Sequence, residues 1–252
     1  MHQDFETMLD LMDRTFRDFE NGMPSKPVVI ELPFGAAYRF KEKDIYQALI
    51  QKLAKVQSTV RAAYSLLKNG YVQEQAILLR VIDELNEDIW FLTYAVTNDE
   101  ITDLHNRYLE AFWEEEIDES GNMIDSNQKR PMIPRKKIRA YIAKVEGTAL
   151  DPSRGIELSR TLSKGYSGFV HGASPHIMDM YIGNPPYFHT KGMLGTPRME
   201  EYSDDLWNYI YRTYLSHIVV AKALGAEKHV EILNKYKIQF EENAGKEYIN
   251  ET

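Results

Sequence analysis

Hydrophobic positions repeat at helical spacing along most of this chain. Near the N-terminus, large apolar side chains step by four, three, four and three residues, at Phe5, Leu9, Met12, Phe16 and Phe19. A second series begins after Asp44 and runs through Ile45, Leu49, Leu53, Val56, Val60, Ala63 and Leu67. It ends at a Lys-Asn-Gly stretch, in which Gly70 is placed as a C-cap. Steps of three and four place such side chains on one face of an α-helix. The pattern therefore predicts an N-terminal amphipathic helix and a longer helix from about residue 44.

The next segment, "QEQAILLRVIDELNEDIWFLTYAV", is apolar on most of its circumference. Such a helix is predicted to lie at the centre of a bundle. Its charged residues are confined to one stripe, formed by Arg80, Asp83, Glu84, Glu87 and Asp88. We expect this stripe to be a solvated face or a set of salt bridges with Arg80.

Further helical patterns follow at about 103–116, 134–146, 158–171, 203–224 and 226–245. Strand signals are nearly absent, so the predicted class is all-α, in a single helical domain over residues 1–252 whose bundle core spans about 40–225. Prolines and glycines predict a connector at 21–35 and a long Gly/Pro-rich loop at about 172–198. Loops of this length are usually lids, binding loops or disordered segments, and Tyr181, Tyr187 and Phe188 argue against simple disorder in this one.

Composition excludes several classes of function. The net charge of -8 argues against a surface that is basic overall and holds DNA or anionic lipid, so neither DNA nor a membrane is expected as a partner. The chain has no cysteine, which excludes disulfides, thiolate nucleophiles and cysteine-ligated metals. The first twenty residues contain acids throughout and match neither a signal peptide nor a membrane span. We therefore expect a soluble, cytoplasmic protein.

The candidate chemistry lies at the end of the helix predicted at 158–171. Arg160, Lys164, Ser167 and His171 step by four, three and four residues, which aligns the histidine with two cations and a hydroxyl. His176 follows in the long loop.

Two stretches carry a resemblance to a known family. The segments "LLRVIDELNEDIWFL" and "SKGYSGFVHGASPH" resemble a group of bacterial helical proteins related to the HEPN superfamily, over roughly residues 40–225. The resemblance implies a HEPN-like multi-helix bundle, here with an added N-terminal helix, and a homodimer. It also implies that Arg80 and Glu84 on one helix face Ser167 and His171 on a later one. Many members are metal-independent ribonucleases or defence factors, so RNA is the implied substrate or partner.

The chain departs from the superfamily pattern at one catalytic position. HEPN sites have four to six residues between arginine and histidine, whereas here Lys164 has six residues between itself and His171, and Arg160 is one turn further away. Histidine suits both proton transfers of metal-independent RNA cleavage, since its pKa lies near neutrality. Lys164 or Arg160 would stabilise the phosphorane charge, but lysine offers a point charge instead of a bidentate fork.

A non-catalytic role is the alternative for the same residues. His171 would then interact favourably with the dipole at the helix C-terminus. Alternatively, it would donate to Glu84 in a buried polar cluster with Arg80 and Ser167. The protein would be a helical module that binds a small molecule, a nucleotide or another protein under the 172–198 loop.

Two further clusters contain residue types that bind metals or RNA. Glu84, Glu87, His171 and His176 are of metal-ligating types, but the Glu-x-x-His pattern of helical di-metal sites is missing, so neither metal nor cofactor is predicted. The densest run of cations comprises Lys129, Arg130, Arg135, Lys136, Lys137 and Arg139. Of these, Lys136, Lys137 and Arg139 are the candidate RNA-binding residues. The alternative for this run is a solvated face neutralised by the upstream "EEEIDES".

The remaining histidines and tyrosines have no predicted chemistry. Three tyrosines at helical spacing are expected to pack or to line a dimer seam: Tyr209, Tyr211 and Tyr214. His105, His217 and His229 lie on amphipathic segments without partners that the sequence identifies.

Overall fold

The computed structural model describes residues 2–147 and 165–245. Within these residues the elements are α1 (His2–Gly22), β1 (Val28–Leu32), β2 (Gly35–Arg39), α2 (Ile45–Lys68), α3 (Val72–Thr97), α4 (Asp103–Trp113), α5 (Arg135–Val145), α6 (165–170), α7 (Ser174–Met178), β3 (Tyr181–Gly183), β4 (Pro186–Phe188), α8 (Arg198–Ala223) and α9 (Glu227–Ala244). The mostly helical fold confirms the predicted class.

The core is built around α3. This helix packs against α2, α8 and α5, while α1 and α9 cover α8 from another side. The predicted faces of α1 and α2 are buried, and the largest fully buried side chains are Phe5, Leu9, Met12, Leu49, Leu53, Leu67, Leu79, Ile82, Ile89, Phe91, Trp207 and Tyr214. The central position predicted for the helix after Gly70 is thus confirmed. None of the helices in the described ranges is long and apolar enough to cross a membrane.

Local signals fix the ends of α2. The Asp44 carboxylate accepts from the backbone N–H of Gln47, and the Gln47 side chain accepts from the N–H of Asp44, each over 3.2 Å. At the other end Gly70 has φ +79°, and the N–H of Tyr71 donates to the carbonyl of Leu66 over 2.9 Å. This is a Schellman ending, which needs a residue such as glycine at positive φ. The predicted C-cap at Gly70 is confirmed.

Two short hairpins, which were not predicted, lie in the segments that were predicted as a connector and a long loop. Strands β1 and β2 form an antiparallel pair within the predicted connector and its extension, with Leu32 opposite Gly35. The prolines there flank the strand instead of interrupting it, since Pro27 precedes β1 and Pro33 lies in the turn. The predicted 172–198 loop contains α7 and a second antiparallel pair, β3 and β4. An ion pair of 2.8 Å between Asp179 and Arg198 joins the end of α7 to the start of α8.

Candidate functional site

The end of α6 is closed by backbone hydrogen bonds. Gly172 has φ +61°, the N–H of Ala173 donates to the carbonyl of Gly168 over 2.9 Å, and the N–H of His171 donates to the carbonyl of Ser167 over 3.1 Å. The imidazole of His171 is exposed, and it makes no hydrogen bond or ion pair with any of the described residues. The helix end is therefore terminated without help from the imidazole.

The opposite side of α6 packs on α8. The hydroxyl of Tyr166 donates to Asp205 Oδ2 over 3.3 Å, and its ring meets Tyr209 edge to face at 5.7 Å. Phe169 meets Tyr202 in the same way at 6.2 Å. At about 100° per residue, His171 lies about 140° around the helix from Tyr166. The packed face and the face that bears His171 are thus different.

The predicted partners on α3 form a pair of their own. Arg80 Nε lies 3.4 Å from Glu84 Oε1, and about a third of each side chain is exposed. Across residues 2–147 and 165–245 no hydrogen bond or ion pair joins this pair to Ser167 or His171. Lys164 and Arg160, the predicted cations, lie outside the described residues. The grouping of these side chains at one site stays a prediction.

His176, a predicted binding residue, is packed against α6. A Cβ at Gly168 would come within 2.0 Å of its ring, so only glycine permits this approach. Its Nε2 lies 3.3 Å from the carbonyl of Gly165, and its ring meets Phe169 at 4.4 Å. His176 therefore positions α6 against α7.

The acidic stripe of α3 is largely buried, which corrects the expectation of a solvated face. The two Glu87 oxygens lie 2.6 Å from Arg135 Nη2 and 2.7 Å from Arg139 Nε. Asp88 is held by Arg135 and by Lys52 Nζ, the latter at 2.7 Å. Salt bridges were expected, but those of Glu87 and Asp88 come from α5 and α2 instead of from Arg80. Carboxylates buried to this extent are stable only when paired.

These contacts divide the predicted basic cluster into two groups. Arg135 and Arg139 point into the bundle, whereas Lys136 and Lys137 are exposed on the same helix. Arg130 pairs with Glu116 at 3.1 Å, within the acidic stretch that was expected to neutralise the cluster. Of the three candidate RNA-binding residues on α5, only the two lysines are available at the surface.

Asp83, the third buried carboxylate of α3, was not predicted to have a partner on α8. Its side chain is 2% exposed, and its Oδ1 lies 2.6 Å from Arg212 Nη1. Burial raises the pKa of Asp83 and outweighs the opposing effect of Arg212. No local signal in the sequence links positions so far apart.

The tyrosines and histidines without predicted chemistry are mostly structural. Tyr209, Tyr211 and Tyr214 are buried in the chain's own core, so they pack, as expected. His105 and His217 are fully buried, and burial lowers the pKa of each.

A cavity of about 430 Å³ lies where α1, α2, α8 and α9 meet. Its walls include Phe19, Met23 and Leu224, and His229 Nε2 lies 3.1 Å from Asp18 Oδ2 among its lining residues. Sequence patterns gave no indication of this cavity. Among the residues that the structure describes, no three histidine or acidic side chains are grouped so as to hold a metal ion.

Searches against protein-family models, curated proteins and solved structures found no match to this chain.

Proposed function

We propose that this chain is a HEPN-like helical protein that cleaves RNA without a metal ion, with His171 transferring protons. The observation that supports this proposal is the exposed imidazole of His171 at a helix end that backbone bonds already close. A histidine that belonged to a buried polar cluster with Glu84 would have its nitrogens engaged with the protein. The imidazole instead faces solvent, where a substrate can reach it.

The proposed reaction uses groups that this chain supplies. A base removes the proton of the RNA 2′-OH, the 2′-oxygen attacks the adjacent phosphorus, and an acid protonates the departing 5′-oxygen. The products are a 2′,3′-cyclic phosphate and a free 5′-hydroxyl. His171 would transfer these protons, while Lys164 or Arg160 would stabilise the charge on the phosphorane. Ser167 precedes His171 by one helical turn and offers a hydroxyl to a phosphate oxygen.

The HEPN resemblance adds a homodimer to this proposal. In a symmetric dimer, two copies of His171 would line one cleft and could divide the two proton transfers between them. The Arg80–Glu84 pair, which is partly exposed, would lie at the margin of that cleft and bind phosphate through its arginine.

The test is cleavage of a labelled RNA of mixed sequence in EDTA by wild type, His171→Ala and His171→Gln. General acid–base catalysis typically contributes about 100- to 10,000-fold, so both variants should lose activity by that order. His229→Ala is the matched control, since His229 is also partly exposed and lies on α9. Unchanged cleavage by His171→Ala, or cleavage that needs added Mg²⁺, would refute the proposal.

A non-catalytic binding module is the second candidate, and the 430 Å³ cavity favours it. Its apolar walls and the Asp18–His229 pair suit a small amphipathic molecule. This alternative predicts that wild type cleaves no RNA under any condition. It also predicts that an amphipathic dye binds the wild type and is excluded by Ala223→Trp, which would fill the cavity.

A further inference from the structure

We infer that the segment after His171 is a binding platform for single-stranded RNA, whose unpaired bases stack on the aromatic rings of the β3–β4 hairpin. This inference rests on the proposed function, since it names the form of RNA that would reach His171.

The segment exposes an unusual amount of apolar surface. Seven large apolar side chains between residues 170 and 194 are more than 40% exposed: Val170, Ile177, Met178, Tyr181, Tyr187, Phe188 and Leu194. Most large apolar patches on soluble proteins mark sites of interaction. We call the subset Tyr181, Tyr187, Phe188 and His189 the aromatic platform.

The platform has an ordered support. The N–H of His189 donates to the carbonyl of Met180 over 3.0 Å, and His189 Nε2 donates to the carbonyl of Ile182 over 3.0 Å. Beyond the hairpin, the N–H of Met193 donates to the carbonyl of Gly70 over 2.8 Å. Rings held in this way lose little conformational freedom when a ligand binds.

The rings of the platform form two pairs, one on each face of the hairpin, because successive residues of a strand point to opposite faces and Tyr181 lies opposite Phe188 in the register. Tyr187 stacks on His189 with centroids 4.2 Å apart and planes 27° apart, and Tyr181 lies 4.8 Å from Phe188. Tyr187 and Phe188 are 57% and 45% exposed, so each retains surface that a base can cover. Stacking of this kind tolerates any sequence, since every base has a π face.

The charge of the segment fits a polyanion better than the rest of the chain does. Between residues 165 and 198 the formally charged residues are Asp179, Lys191 and Arg198, in a chain whose net charge is -8. The carboxylate of Asp179 is paired with Arg198 at 2.8 Å, and Lys191 makes no ion pair among the described residues. An RNA strand therefore meets rings, imidazoles and one available lysine there, with no unpaired carboxylate contributed by this segment.

The apolar surface begins beside the proposed catalytic residue. A Cβ at Gly172, the residue after His171, would lie 3.7 Å from Ile177 Cδ1, and α7 leads from there into the hairpin. A strand that stacked its bases on the platform would therefore extend past His171. Bases in a duplex are already stacked on each other and cannot occupy the rings.

Binding is measured by fluorescence anisotropy with a labelled 12-nucleotide RNA, single-stranded or annealed to its complement. The protein carries His171→Ala so that the probe is not consumed. Tyr187→Ala and Phe188→Ala should each weaken binding of the single strand by about 5- to 150-fold, the usual range for one base–aromatic stack. Tyr38→Ala, on the other hairpin and 71% exposed in the wild type, should leave binding unchanged.

Two conservative variants separate stacking from general apolar contact. Tyr187→Phe retains the ring and should bind like its parent, whereas Tyr187→Leu retains apolar area without a π face and should bind like Tyr187→Ala. Full binding by Tyr187→Leu, or equal affinity for duplex and single strand, would overturn the inference. So would light scattering that shows these variants dissociating a dimer, since the surface would then be covered by a second copy.

The outcomes also distinguish this inference from the proposed function. Ring-dependent binding of single-stranded RNA without cleavage by wild type would uphold the platform and remove the nuclease. A second outcome is that His171→Ala abolishes cleavage while Tyr187→Ala changes neither cleavage nor binding. This outcome would support the nuclease and refute the platform. Failure of the His171→Ala protein to bind single-stranded RNA would also remove the platform.

Discussion

The backbone N–H of Met193 donates to the carbonyl oxygen of Gly70 over 2.8 Å, which fastens the segment after the β3–β4 hairpin to the turn between α2 and α3. The two turns approach so closely that side chains are excluded from both. A Cβ at Gly70 would lie 2.7 Å from the N atom of Met193, and a Cβ at Gly192 would lie 2.6 Å from the carbonyl oxygen of Asn69. The position of the hairpin thus depends on two glycines 122 residues apart.

We expect Gly192→Ala to release this attachment. Gly192 and Gly195 both have positive φ, at +95° and +77°, so alanine at either costs about 1–2 kcal/mol of backbone strain. A Cβ at Gly192 would face a backbone oxygen, whereas no atom of residues 2–147 or 165–245 lies within 4 Å of a Cβ at Gly195. Urea unfolding should therefore show a larger loss for Gly192→Ala, with faster hydrogen exchange at the Met193 amide. Equal losses for the two variants would contradict the steric argument.

The buried ion pairs between α3 and α5 lead to a second prediction. Arg139→Ala would remove one of the two arginines that pair with Glu87. Breaking a buried ion pair by removing one partner lowers the free energy of unfolding by about 3–5 kcal/mol. The side chains of Arg139 and Glu87 are only 10% and 7% exposed. Lys137→Ala, an exposed change on the same helix, should alter the free energy of unfolding by no more than about 0.5 kcal/mol. Chemical denaturation of the three proteins checks both values.

Removing both charges of that pair should be less damaging than removing one. The double variant Glu87→Leu, Arg139→Met replaces the pair by apolar side chains, and such replacements are often neutral or stabilising. Arg135 would retain Asp88 as its partner. A double variant less stable than Arg139→Ala alone would show that the Glu87 carboxylate supports α5 by more than its pair with Arg139.

Hydrophobic spacing predicted the elements of this fold better than their partners. The apolar series of α1 was predicted because a period of 3.6 is visible over about four turns, and Phe5 and Met12 are indeed fully buried. The stripe on α3 was assigned to one face correctly, but spacing does not show what covers a face. The arginines that bury Glu87 lie 48 and 52 residues further along the chain.

The hairpins were missed for a different reason. Strands β3 and β4 have three residues each, too few for an alternating pattern to be recognised. In β1, "VVIEL" lies between two prolines that indicated a loop. The aromatic platform therefore could not be predicted as a surface, although Tyr181, Tyr187 and Phe188 argued against disorder in this segment.

A polar cluster between α3 and α8 supports a third prediction. The Ser216 hydroxyl donates to Asn86 Oδ1 over 2.8 Å and accepts from Trp90 Nε1 over 3.1 Å. Ser216→Ala removes a partner from each group in a buried setting, at a cost of about 1–3 kcal/mol. Ser65→Ala, at an exposed position of α2, is the matched control. Unfolding followed by tryptophan fluorescence should separate the two variants, and equal stability would show that water replaces the hydroxyl.

The last prediction concerns acid stability and His217. This histidine is fully buried, its Nδ1 lies 2.9 Å from the carbonyl of Thr213, and burial lowers its pKa to about 4. In the unfolded chain the pKa of this histidine is about 6.5. As pH falls below that value, the histidine binds a proton in the unfolded chain but stays neutral in the folded chain. The free energy of unfolding therefore decreases by about 1.4 kcal/mol per pH unit. His217→Gln should make the pH dependence between pH 6.5 and 4 less steep by this amount, whereas His229→Gln should retain the slope of the wild type. Parallel curves for wild type and His217→Gln would mean that the buried imidazole is protonated in the folded protein.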